Sequence, residues 1–277
     1  MAFNYMIPVV GVIPEKYDCT LDPPFDNLAG CITEVGAEIL WRVRVYRNAE
    51  LLESFEQSFE GSPGSIENAP GPIQLKRTEE EWREDARFFE SDFISVSGEP
   101  TFSANTPPPF YTVYTSPGRK SFISDNAYKF SQPTIISQVA AYGRYLDAYA
   151  PLLIDRTKDY EESVALTNPY NRDNICRILA SDGRKIERIR VPALSTRIVP
   201  LSQLLDETED RWQGRIQLTA FNRLITFNVK HALSDRGIIN DFEHLDPFRA
   251  EPTHLPAFQI FRQWIGEKLK LRGMIGS

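Results

Sequence analysis

Residues 38–46 read EILWRVRVY, and this alternation constrains the fold more than any other stretch of the chain. Successive side chains of a strand point to opposite faces. Ile39, Trp41, Val43 and Val45 therefore share one side of an extended backbone, and Leu40, Arg42, Arg44 and Tyr46 share the other. Such a pattern belongs to a half-buried strand. RNAE then offers a turn at Asn48, and LLESFEQSF resumes with Leu51, Phe55 and Phe59 on one face, so a β-hairpin is expected over 39–59. NICRILA and KIERIRV, joined through the Asp182-Gly183 pair suited to a tight turn with positive φ, predict a second hairpin. A third is expected where GRIQLTA runs into LITFNVK through Phe221-Asn222-Arg223. There Ile216, Leu218 and Ala220 face one way, and Ile225, Phe227 and Val229 face together in the partner.

Helical signals are few. RTEEEWREDARFF opens with a capping box, Thr78 and Glu81, and places Trp82, Ala86 and Phe89 at helical spacing, which predicts a short helix over 78–89. LPAFQIFRQWIGEKLKLRG predicts a C-terminal helix packed on the outside, with Phe258, Phe261, Trp264, Ile265 and Leu269 as its apolar stripe and Gly273 after its basic last turn. The stretch 132–155 fits either type and reads better as strand. GSPGSIENAPGP (61–72) and GEPTFSANTPPP (98–109) read as long loops or linkers. The expected architecture is mainly β, an antiparallel β-sandwich or jelly-roll-like fold. Its halves would be a β-rich N-terminal part with Pro/Gly-rich loops (1–150) and a hairpin sandwich with the C-terminal helix (151–277), one continuous domain being the alternative.

A net charge of −7 repels a phosphate backbone, so nucleic acid is not an expected partner. No stretch approaches about 18 uninterrupted apolar residues, and the N-terminal apolar run lacks a basic start and is broken by Pro8, Gly11 and Pro14, so neither a membrane span nor a signal peptide is expected. Cys19, Cys31 and Cys176 are odd in number and without paired spacing; they read as structural thiols of a cytoplasmic protein. Phosphate-loop, nucleophile-elbow, zinc-protease and paired-cysteine motifs are all missing.

Four groups of residues carry chemical interest. All three histidines, His231, His244 and His254, fall within one short window. With Glu243 beside His244 they suit a divalent metal site, in which Glu243 and His244 would do acid–base work in a hydrolase or oxygenase. The plainer expectation is that His231 continues an inward strand face while the other two serve local turns. Asn168, Tyr170, Asn171 and Arg172 in LTNPYNRDN combine an aromatic face, amides and a guanidinium, the mixture that recognises a sugar or a partner loop. GRKIERIRVPALSTR holds Arg184, Lys185, Arg188, Arg190 and Arg197; Arg188 and Arg190 share a strand face able to grip a phosphate or carboxylate, although a solvated face is the commoner use of such residues. Tyr142, Tyr145 and Tyr149 read as core, or on a strand as a stacking platform. The leading expectation is a non-catalytic binding or assembly module presenting loops, including 168–172 and the 98–116 segment, to a carbohydrate or protein partner. The metal enzyme is its first alternative, and a self-assembling structural subunit, a homo-oligomer, its second.

Overall fold

The computed structural model describes residues 3–9, 18–22, 32, 35–47, 50–67, 73–74, 90–100, 111–115, 122–126, 128–129, 145–170, 173–220, 224–236, 239–245 and 248–249. Its strands are β1 (Phe3–Val9), β2 (Asp18–Asp22), β3 (Ala37–Arg47), β4 (Glu50–Ser62), β5 (Ser65–Ile66), β6 (Ile73–Gln74), β7 (Glu90–Pro100), β8 (Tyr111–Thr115), β9 (Phe122–Asn126) and β10 (Tyr128–Lys129). They continue with β11 (Tyr145–Ala148), β12 (Leu152–Asp155), β13 (Tyr160–Asn168), β14 (Asn174–Ala180), β15 (Lys185–Val191), β16 (Ser195–Pro200), β17 (Arg211–Gly214), β18 (Ile216–Ala220), β19 (Ile225–His231), β20 (Ile239–His244) and β21 (Phe248–Arg249). Among the described residues the only helical turns are 3-10 segments at Arg156–Lys158 and Leu201–Leu204. The expected mainly-β, sandwich-like antiparallel class is what the chain adopts. The helices expected over 78–89 and 255–273 lie outside the described residues.

Three sheets form. The largest runs β17-β12-β13-β16-β7-β3-β4-β5, with β19 and β20 branching from β13 and β1 and β10 from β7. A second runs β15-β14-β18-β11-β21, and a third β6-β2-β8-β9. A continuous core fills the space between β12, β13, β16 and β17 on one side and β14, β15 and β18 on the other. Ile154, Val164, Leu166, Val199 and Trp212 from the first set meet Cys176, Ile178, Val191, Ile216 and Leu218 from the second.

The alternating segments form the expected hairpins, except that a register shift in β3–β4 puts Leu51 on the face opposite to Phe55 and Phe59. In β3–β4, Ile39 stands opposite Phe59 and Val43 opposite Phe55, with Val43 and Phe59 buried. A register shift between Val45 and Tyr46 then brings Tyr46 opposite Leu51 and buries its ring. In β14–β15 the loop is a three-residue one rather than a two-residue turn: Gly183 N–H donates to the Ala180 carbonyl at 3.0 Å and Ala180 N–H to the Arg184 carbonyl at 2.8 Å. Gly183 alone takes positive φ (+92°), which a residue without Cβ adopts freely.

Two expectations are corrected. β18 and β19 do not form a hairpin: β18 pairs with β11 and β14 in one sheet, whereas β19 pairs with β13 and β20 in the other. The chain therefore passes from one sheet to the other between Ala220 and Ile225. The reason is burial, since β18 alternates buried and exposed positions while β19 is buried on both faces save at Lys230. A strand with two dry faces belongs inside a large sheet. Residues 61–66 are also not a loop, because Gly61 pairs with Ile66 and Ser62 with Ser65 around Pro63-Gly64. Proline pre-sets the first corner of that turn and Gly64 takes φ +77° at the second. Gly98–Pro100, the start of the other segment expected as loop, ends β7. The 132–155 stretch is strand where it is described, at β11 and β12.

Candidate functional site

β13 and β19 run side by side with Glu161 opposite His231 and Ser163 opposite Val229. His231 is fully buried, as the inward strand face requires. Its Nδ1 faces the Ala232 carbonyl at 2.9 Å. A carbonyl can only accept, so Nδ1 carries the proton and Nε2 accepts from the Ser163 hydroxyl at 2.7 Å. Burial holds the imidazole below its ordinary pKa, against the smaller opposing pull of Glu161. Glu161 is equally buried; one carboxylate oxygen accepts from Ser202 N–H at 2.6 Å and the other lies 3.7 Å from His231 Nε2 and 3.8 Å from Arg236 Nε. Serine, histidine and glutamate thus meet without forming a nucleophile. All three are out of reach of solvent, and the acid approaches the serine side of the ring rather than the nitrogen it would need to orient.

His244 stands elsewhere. Its register partner is Phe227, four positions from His231, about 13 Å along the strand, and its ring meets Phe227 edge-on at 5.5 Å. Two imidazoles so placed do not share an ion. Glu243 is exposed and accepts from Lys230 Nζ at 3.0 Å. Among the described residues no three His, Cys, Asp or Glu side chains gather as a metal site. His254 lies outside the described residues. Cys176 is buried with its thiol pushed up to about 12 by burial, which removes it as a nucleophile at neutral pH.

Asn168 and Tyr170 are buried rather than displayed. Asn168 Nδ2 donates to the carbonyls of Val191 and Pro192 at 3.1 and 2.8 Å, its Oδ1 accepts from Tyr170 N–H at 3.3 Å, and the Tyr170 carbonyl accepts from Leu194 N–H at 2.9 Å. Asp173 accepts from Ala193 N–H and from the Arg190 guanidinium. Together they clamp the arch 192–194 that carries the chain from β15 in one sheet to β16 in the other. Asn171 and Arg172 lie outside the described residues. Tyr149 is buried core, its hydroxyl accepting from Thr226 at 2.9 Å.

Behind the clamped arch, between β15 and β16, lies a half-open groove of about 610 Å3. Ile186, Ile189, Pro192, Ile198 and Val199 form its apolar wall, and Arg188, Arg190, Arg197, Glu187 and Gln203 its polar one. A β-bulge lies along it. Cys176 pairs with Ile189 and Ile178 with Ile186, so Glu187 and Arg188 together oppose Arg177. The extra residue lets Ile186 and Ile189, three positions apart, both line the groove, as Arg188 and Arg190 do. Arg188 sits at φ 56° and Leu194, in the arch, at φ 44°. Left-handed backbone costs a residue with a side chain about 1 kcal/mol or more, so the fold tolerates strain on both sides of this groove. Arg190 is held by Asp173 and Glu187 by Lys185, while among the described residues no carboxylate lies within ion-pair distance of Arg188. The arginine-rich run was visible in the sequence; the bulge and the arch that fold it round a cavity leave no local signature.

Comparison with known proteins adds little. No family model and no curated protein matches the chain. Among solved structures, a lectin from Pleurotus ostreatus in complex with GalNAc aligns over 93% of this chain and 80% of its own at 7% identity, with a TM-score of 0.19. A superposition that loose carries no argument about fold or ligand.

Proposed function

We propose that the chain is a non-catalytic β-sandwich binding module whose ligand, a carbohydrate, seats in the groove between β15 and β16. One observation carries this reading: a cavity of ligand size, lined by both apolar and polar side chains, beside a strained bulge and a clamped arch. The apolar wall suits the C–H face of a sugar ring. Gln203, Glu187 and the guanidinium groups suit its hydroxyls, as donors and acceptors in fixed positions. The buried Ser163–His231–Glu161 set lacks the access a reaction needs, which favours binding over turnover.

The test is a panel of neutral and acidic oligosaccharides followed by isothermal titration and by amide chemical shifts, on the parent and on Gln203→Trp. Gln203 is exposed at the groove rim, so an indole there blocks the cavity and leaves the core intact. At least one saccharide is expected to bind the parent, shift the amides of β15 and β16, and lose its affinity in Gln203→Trp without being cleaved. Binding unaffected by the block, or no binding at all, overturns the site; a cleaved saccharide overturns the non-catalytic reading.

A further inference from the structure

The groove contains no aromatic side chain among its lining residues. A site that recognises a neutral sugar commonly relies on a ring stacked against it; without one, orientation has to come from directional polar contacts. The polar wall is net positive, three arginines against one glutamate, in a chain whose overall charge is −7. Glu187 is engaged by Lys185 at 2.8 Å, and that contact lowers its pKa and keeps it an anion able to accept a hydroxyl. Arg190 is turned toward Asp173, which accepts from both its Nε and one terminal nitrogen.

Arg188 differs from both. It is exposed, lines the groove, has no carboxylate within ion-pair distance among the described residues, and sits in a backbone conformation that glycine or asparagine would adopt at lower cost. Bulges re-aim side chains, and a guanidinium fork is the group that matches a planar or tetrahedral oxyanion with two parallel hydrogen bonds. Resting on the binding-module reading above, we infer that the ligand is an acidic saccharide whose carboxylate or sulfate is taken by Arg188. The apolar wall then meets the sugar ring, and Gln203 and Glu187 meet its hydroxyls. Free oxyanions satisfy only the first of these contacts.

The experiment titrates the full chain with tri-galacturonate, a sulfated disaccharide, maltotriose and inorganic sulfate at two salt concentrations, and repeats it with Arg188→Gln, Arg188→Lys and Gln203→Trp, each checked for an unchanged circular dichroism spectrum. Expected are binding of tri-galacturonate or the sulfated disaccharide that weakens with salt, a loss of tenfold or more in Arg188→Gln, and a smaller loss in Arg188→Lys, which keeps the charge and loses the fork. The first two ligands tell a carboxylate from a sulfate preference. Maltotriose binding as tightly, with the same amide shifts and the same block by Gln203→Trp, overturns the anionic ligand and leaves the binding groove standing. Sulfate binding as tightly as either acidic saccharide overturns the saccharide. Acidic saccharide binding unchanged in Arg188→Gln overturns the role of Arg188. No saccharide shifting the groove amides overturns both this inference and the reading it rests on.

Discussion

The β13–β19 ladder and the β14–β15 hairpin are both antiparallel pairs of similar length, and they solve opposite problems. β13 and β19 pair in one unbroken register from Glu161–His231 to Thr167–Ile225, and both faces are dry. Most of the polar groups they bury are therefore answered by a neighbour: Thr167 hydroxyl meets Thr196 at 2.8 Å, Asn228 Nδ2 donates to Glu162 at 3.1 Å, and Ser163 donates to His231, whereas Glu161 Oε2 and Asn228 Oδ1 are left without a hydrogen bond among the described residues. β15 lies at the rim of its sheet, with one face wet, a bulge in its middle and a left-handed arginine. Its exposed residues, Lys185, Glu187, Arg188 and Arg190, also guard an open strand edge against pairing with other chains. Regular pairing supplies stability, and departures from it supply a concave surface.

Five measurements sharpen or break this contrast. Phe227 is fully buried and stacked on Phe242 at 5.0 Å, so Phe227→Ala should lower unfolding free energy by about 3–5 kcal/mol in denaturant titrations; a loss under about 1 kcal/mol would mean that the ladder is not the stabilising region. Ser163→Ala leaves the buried Nε2 of His231 without its hydroxyl donor and should cost about 1–3 kcal/mol by the same assay.

The third measurement is pH dependence. The His231 pKa is depressed in the folded protein, so below about pH 6.5 the unfolded chain binds a proton that the native one refuses. Stability should rise with pH up to that point and fall as the solution is acidified, and His231→Gln should show a shallower fall than the parent. Equal slopes would show that the imidazole is charged when folded. On the exposed face of the β14–β15 hairpin the expected effects are small and one changes sign. Arg188→Gly should stabilise by about 1 kcal/mol through relief of left-handed strain while weakening ligand binding, and Ile175→Ala, at 45% exposure, should change stability by less than about 0.5 kcal/mol.

Hairpins whose partners are adjacent were legible in the sequence, because alternation sets the face and the turn sets the register. The β3–β4 and β14–β15 pairs are of this kind. The β18–β19 join was misread for a physical reason: a short connection serves a hairpin and a layer crossing equally well, and what separates them is that β19 must meet β13 far back in the chain. The same long-range register undoes the histidine cluster. Closeness in sequence put His231 and His244 in one window, and the ladder spaces them four residues apart along a strand. Pro63-Gly64 misled in the other direction, since residues that break regular structure in a long run complete it at a tight corner. The arginines of β15 were legible as a charged strand, but a bulge depends on the partner strand's count, which no single segment contains.

The central position of β13 has a consequence for the growing chain. Apart from a short pairing of its first residues with β12, its partner along one edge, β16, begins at Ser195, and its partner along the other edge ends at His231, opposite Glu161 and thus some 70 residues later. At translation rates of about 5–20 residues per second, several seconds separate the synthesis of this apolar segment from that of the strand that completes its edge. Over that interval its unpaired backbone invites misassociation. Glu161 and Glu162 stand at its head, and charges flanking a hydrophobic strand discourage intermolecular stacking. The two carboxylates that are buried and bonded in the finished sandwich are therefore placed to keep the nascent strand solvated until β19 emerges.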